Sequence, residues 1–273
     1  GEPAPRLDRR PIAHIEVREA MTAHGGAASV DAHFDAITRR RTNREPFEDR
    51  PVDAGAWTML REATLSAGDE GGGVNRLSFG WTDGGALRDA LRRLAWNAFE
   101  KEFRTPHAHL ETVNLLRVGR REVAEHRDGI AVEGMAVEIA RTLGLVNKRT
   151  LADIDNPQTR EGLMAWRPLA LDAPAFVWIA GADNSRTTQI GAGRAYANLN
   201  LAAAKLGLSM HPWSQALQEY PEMAQLHAEA ERLLNAPDEA RVQMLARIGY
   251  GPEIPPAPRR GLQQHLRTGR GLD

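Results

Sequence analysis

The 273-residue sequence predicts an α+β domain, a small sheet of short strands flanked by helices. Three observations point there. Strand-like segments are few and lie among many helical ones without strict alternation. One of them, "PAFVWIAGA" from Pro174, is almost wholly apolar, the pattern of a strand covered on both faces. After it comes a long helical stretch crowded with Gly and Ala, which lets another helix or a flat ligand approach closely.

Taken in order, residues 1–28 are rich in Pro, Gly and Ala with weak periodicity, and are expected to form an arm ahead of a domain spanning 29–273. "SVDAHFDAITRRRT" predicts a helix with Ser29 as N-cap, Val30, Phe34 and Ile37 on one face, and arginines in its last turn. A second helix is expected over Asp53–Gly68, carried by Trp57, Leu60 and Leu65, and then the loop "GDEGGG". "NRLSFGWTD" alternates Leu77, Phe79 and Trp81 as a strand should. Helices follow from Gly85 to about Arg104 and from about Ile130 to Leu143. Beyond the apolar strand, a helix should start at the Asp183–Ser185 cap and stop at Gly207, with Gly191, Ala192, Gly193, Ala195, Ala197, Ala202, Ala203 and Ala204 along it. A short strand "SMHPW", an amphipathic helix "YPEMAQLHAEAERLLNA", a strand "VQMLARIGYG" and a Pro/Arg tail complete the order.

Composition removes several classes of function. Lys plus Arg total 35 against 36 for Asp plus Glu, so no global field attracts nucleic acid or an anionic membrane. With no cysteine there are no disulfides, thiolate metal sites or cysteine nucleophiles. The most apolar stretch, Leu169–Ala182, is too short for a bilayer and holds Asp172. A soluble protein is expected, cytoplasmic or exported after loss of an upstream signal; the chain opens "GEPAPRLDRR", without Met or an apolar leader.

Familiar motifs are absent. Gly191 and Gly193 give G-x-G, but Tyr196 stands where a dinucleotide fingerprint needs its third glycine, and the pair lies within a helix. "GDEGGG" lacks the Lys-Ser/Thr of a P-loop. His107, His109 and His126 follow no zinc-ligand spacing, and no G-x-S-x-G occurs. No catalytic acid, base, nucleophile or metal site is therefore assigned.

What remains is "RRRTNREPF", which sets four arginines within six positions. Basic residues favour helix C-termini, where they meet the negative end of the dipole. Alternatively, planar guanidinium donors interleaved with a threonine form a cradle for phosphate. Charge density alone would also admit a nucleic-acid contact, against the neutral balance of the whole chain.

Three segments in order resemble the nitroreductase superfamily of FMN enzymes, most closely its two-lobed Acg-type branch. They are "RRTNREPF", "GAGRAYANLNLAAAKLGLSMHPWSQ" and "MLARIGYGPEIPPAPRR". The resemblance implies a nitroreductase-like central sheet flanked by helices, with FMN as cofactor. Arg40, Arg41, Thr42 and Arg44 would wrap the FMN phosphate. Pro212, Trp213, Ser214 and Gln215 would form the loop facing the flavin, where a backbone N–H can meet N5. Arg259 and Arg260 would return to the phosphate. The implied reaction passes hydride from NAD(P)H through N5 to a nitroaromatic, quinone or similar acceptor.

One departure stands out. Simple members carry a P-S-x-x-N-x-Q-P-W segment after the first motif, and this chain has "TLSAGDEGGGVNRLSFGW" instead. In the two-lobed branch that segment sits in a preceding half, of which residues 1–28 would be a remnant. The resemblance thus implies a site completed by a second lobe or a homodimer partner, or a protein that sequesters FMN with little turnover.

Overall fold

A computed structural model describes residues 33–66, 77–235 and 240–264. The arm at 1–28, Ser29, Val30 and the "GDEGGG" loop lie outside the described residues. After a 3-10 turn at Phe34–Ala36, the elements are α1 (Ala54–Ser66), β1 (Leu77–Thr82), α2 (Gly85–Arg104), α3 (Pro106–Leu115), β2 (Leu116–Val118) and α4 (Arg120–His126). Then come β3 (Ile130–Val132), α5 (Met135–Thr142), α6 (Lys148–Ala152), α7 (Pro157–Leu171), β4 (Ala175–Gly181), α8 (Arg186–Lys205), β5 (Ser209–Pro212), α9 (Ala224–Leu233) and β6 (Arg241–Gly249).

Four strands form an antiparallel sheet in the order β1-β4-β6-β5, and β2 and β3 form a separate parallel pair. Strand β4 is central and its pleat divides the core. Ala175, Val177 and Ile179 face one way, onto α1 and α8, while Phe176 and Ala180 face the other, among residues of α2, α7 and α9. This is the mixed architecture expected, and the apolar run of β4 is covered on both faces.

The small residues of α8 split by face. Ala192, Ala195, Ala202 and Ala203 are buried beside Trp57, Leu60 and Ala63 of α1, so here small side chains serve close helix packing. Gly193 and Ala197 are exposed. The helix is capped by Ser185, whose Oγ accepts from Thr188 N–H, as expected. At the sheet edge Trp81 is exposed on one side and stacked on Trp57 on the other, with centroids 4.3 Å apart.

Two expectations are corrected. Among the described residues the first helix is only the 3-10 turn, in which Ala36 is buried while Phe34 and Ile37 are exposed. Sheet pairing stops it: Thr42 bridges Met210 and Asn43 N–H donates to Met210 O at 3.0 Å, which draws the arginines into an extended path. Likewise the helix expected over Ile130–Leu143 begins only at Met135. Ile130–Val132 pairs with Leu116–Val118, and Gly134, at φ 137°, breaks the chain between strand and helix.

Candidate functional site

The arginine segment is attached to the sheet beside β5. Asn43, 2% exposed, fixes it on three sides: Nδ2 donates to Ser209 Oγ (2.9 Å) and Pro252 O (2.8 Å), and Oδ1 accepts from Glu45 N–H (3.0 Å). Further on, Glu48 N–H donates to Tyr250 O at 2.7 Å, so the segment lies alongside the tail that leaves β6. Gly251 is required there, since a Cβ would sit 2.8 Å from the Phe47 ring.

Between segment, tail and the end of α8 lies an open depression of about 360 Å³. Arg39, Arg40, Arg41, Asn43 and the run Gly251–Ile254 line it; Glu253 is its carboxylate. Among the described residues no carboxylate lies within ion-pair distance of these three arginines. Arg41 donates from Nη1 to Thr38 O (2.6 Å) and Arg40 O (2.9 Å), and its Nε is buried without a hydrogen-bond partner. A buried guanidinium donor left open is costly unless an acceptor arrives. Arg40 is close enough to Tyr196 of α8 to oppose the upward push that burial gives that phenol.

Below the segment lies a charge that the sequence reading missed. Arg247 of β6 is 1% exposed. Its Nε donates to His211 Nδ1 (3.1 Å) and its Nη2 to Glu45 O (3.0 Å) and Asn43 O (3.4 Å), while Nη1 reaches Leu169 O (3.4 Å). Phe47 stacks under the guanidinium at 4.1 Å. Burial lowers the Arg247 pKa to about 10, which leaves it charged at neutral pH. Burial, then the charges of Arg247 and Arg44, push His211 down to about 2, so its Nδ1 is a lone-pair acceptor. A charged residue inside the apolar run "MLARIG" was the available signal.

Thr42 is half-buried in the bridge to Met210. Arg44 is exposed and does not line the depression, its charge being felt at His211. Pro212 ends β5 opposite Ala246. Trp213 is a core residue, 1% exposed, with Nε1 donating to Ala95 O (2.9 Å) and its backbone N–H to Leu245 O (2.9 Å). Ser214 Oγ donates to Leu245 O (2.9 Å) and accepts from Leu245 N–H (3.1 Å), pinning the loop to β6. Gln215 opens a 3-10 turn over a carboxyl group also missed: burial raises the Glu102 pKa, opposed by hydrogen bonds from Gln218 and Gln215. Arg259 and Arg260 are exposed and absent from the lining of the depression, and Arg259 Nη1 reaches its neighbour Pro258 O at 3.1 Å.

A sequence model of the nitroreductase family matches residues 37–250. Among solved structures, the FMN and NADPH-dependent nitroreductase NfnB from Sphigopyxis sp. strain HMH is similar, with TM-score 0.55 and 19% identity over 88% of this chain and 100% of that one. Oxidized iodotyrosine deiodinase bound to FMN and 3-iodo-L-tyrosine has TM-score 0.53 and 16% identity over 88% and 100%. Nitroreductase A from Vibrio parahaemolyticus RIMD 2210633 has TM-score 0.52 and 12% identity over 90% and 79%. No curated protein matches significantly by sequence.

Proposed function

The chain belongs to the nitroreductase family, and from that premise we propose that it binds FMN and acts as an oxidoreductase between NAD(P)H and a small acceptor such as a nitroaromatic or quinone. The observation that carries this reading is the depression lined by Arg39, Arg40 and Arg41, with the buried Nε of Arg41 lacking a partner. A phosphate monoester brings nearly two negative charges and several acceptor oxygens, which suits clustered guanidinium donors. FMN when bound supplies the two-electron redox chemistry.

In this reading Arg40 and Arg41 hold the phosphate, Asn43 keeps their backbone against the sheet, and Thr42 contributes through its place in the bridge. Pro212, Trp213, Ser214 and Gln215 form the ring-facing loop. Trp213 acts from below by anchoring it, and Ser214 fixes its height above β6. Arg44, Arg259 and Arg260 are assigned to the outer rim, where they attract the anion before it docks. The similar NfnB, described as FMN- and NADPH-dependent, supports the cofactor pairing.

The remainder of the site belongs, on this reading, to a second lobe of the Acg type, of which residues 1–28 are the trailing end, or to a second copy of the chain. Helix α5 supports it: Met135, Ile139 and Leu143 lie one turn apart and are 81%, 56% and 67% exposed. Anaerobic mixing of the FMN-loaded protein with NADPH or NADH tests the proposal. Bleaching of the flavin absorbance, and its return on adding a nitroaromatic or quinone, is expected. Retained flavin that neither nucleotide bleaches would favour sequestration of FMN instead.

A further inference from the structure

We infer that Arg247 is a positioning residue for the phosphate end of the site: it holds the arginine segment in register against the sheet. The inference rests on the FMN reading above and concerns a residue that never meets the ligand. Four donor contacts leave one guanidinium for three parts of the chain: His211 on β5, Leu169 in α7, and the backbone carbonyls of Asn43 and Glu45. Those two carbonyls flank Arg44 and follow Arg41 by two and four residues, so fixing them fixes the direction from which the arginines leave the sheet.

Space filling alone does not account for an arginine here. An apolar side chain would fill the interior without the desolvation cost of a buried cation. Among the described residues no carboxylate lies within ion-pair distance of Arg247. Its charge is met by carbonyl dipoles, by the His211 lone pair, by the faces of Phe47 at 4.1 Å and Trp213 at 5.5 Å and, beyond ion-pair distance, by the Glu45 carboxylate. A guanidinium spreads five N–H donors over a fixed plane and so meets all four acceptors, whereas a lysine ammonium offers three donors from one atom. The arrangement also keeps the buried positive charge behind the segment, where it adds to the field that draws an anion to Arg40 and Arg41.

The test compares FMN with riboflavin, which shares the ring and lacks the phosphate, by equilibrium fluorescence titration of the full chain. For Arg247→Lys, FMN binding is expected to weaken at least tenfold while riboflavin binding stays within about twofold of the parent. Equal weakening of both ligands would reduce Arg247 to a general structural residue and overturn the inference, as would unchanged FMN binding. Should the lysine variant fail to fold, Phe47→Leu removes none of the four Arg247 hydrogen bonds and loosens the stack while keeping an apolar side chain against Gly251. It should weaken FMN about threefold and leave riboflavin alone, and loss of both or of neither overturns the inference. A parent protein that binds neither flavin overturns the FMN reading as well, whereas normal FMN binding by the parent with an unaffected Arg247→Lys variant removes this inference only.

Discussion

Two regions of the molecule spend their apolar residues in opposite ways. Strands β4 and β6 bury most of their side chains on both faces, and even the cation at position 247 is enclosed and hydrogen-bonded. The stretch from α3 through α6 is built of short elements, and α5 buries none of its residues while showing Met135 and Ile139 to solvent. The first region is closely packed within this chain and forms the floor beneath the arginine segment. The second leaves an apolar row exposed, Met135, Ile139 and Leu143, which the proposed function reads as an interaction face. The contrast is what leads us to propose a phosphate end held by this chain and a partner surface for the rest of the site.

The largest effect expected from this contrast is on stability. Leu245→Ala, at the centre of β6, should lower the unfolding free energy by about 2–5 kcal/mol in urea titration, whereas Ile139→Ala should stay within about 0.5 kcal/mol. Comparable losses would show that α5 is as integral to the fold as the sheet. Next, Arg41→Ala should weaken FMN binding by about 1.5–3 kcal/mol, the scale of a hydrogen bond to a charged group. Unchanged affinity would remove the phosphate assignment.

A third effect is acid sensitivity seated at His211. Its folded pKa, about 2, lies below that of a free imidazole, near 6.5, so the unfolded chain takes up a proton that the folded chain refuses. The stabilisation is present above about pH 6.5 and is lost as pH falls, by about 2 kcal/mol at pH 5. His211→Gln retains an acceptor for Arg247 and does not titrate, so its stability should be flatter over that range; an unaltered acid limb would place the sensitivity elsewhere. Smallest of all, Arg259→Ala should change FMN affinity by under about 1 kcal/mol, as befits an exposed charge. A loss as large as that of Arg41→Ala would put the tail inside the site rather than on its rim.

Much of the architecture was legible in residue order. The apolar run of β4, the alternation in β1 and the capped, glycine-stopped α8 are local patterns, and local patterns survive folding. The first helix was misread because a single long-range pairing, Thr42 with Met210, overrides the helical preference of "DAITRRR". The strand at Ile130–Val132 was missed since its partner at Leu116 is equally short and lies across an intervening helix. Helices α6 and α7 carried readable starts that the sequence reading passed over, Asn147 with its capping box and Asn156 before Pro157.

The site was legible in its charge and illegible in its supports. Four clustered arginines motivate the proposed phosphate site, and the depression gathers Arg39, Arg40 and Arg41 of them. Asn43 and Arg247 look unremarkable in a linear reading because their roles exist only when residues about two hundred positions apart meet. Trp213 shows the same from the loop's side: the resemblance assigns its segment to the flavin-facing loop, and its side chain lies in the core donating to Ala95 O.

The most direct test of the central claim is the affinity of the unmodified chain for FMN against riboflavin. Preference for FMN by about a hundredfold, roughly 2.7 kcal/mol, is predicted from phosphate held by Arg40 and Arg41. Equal affinity for the two flavins, or none for either, would contradict it.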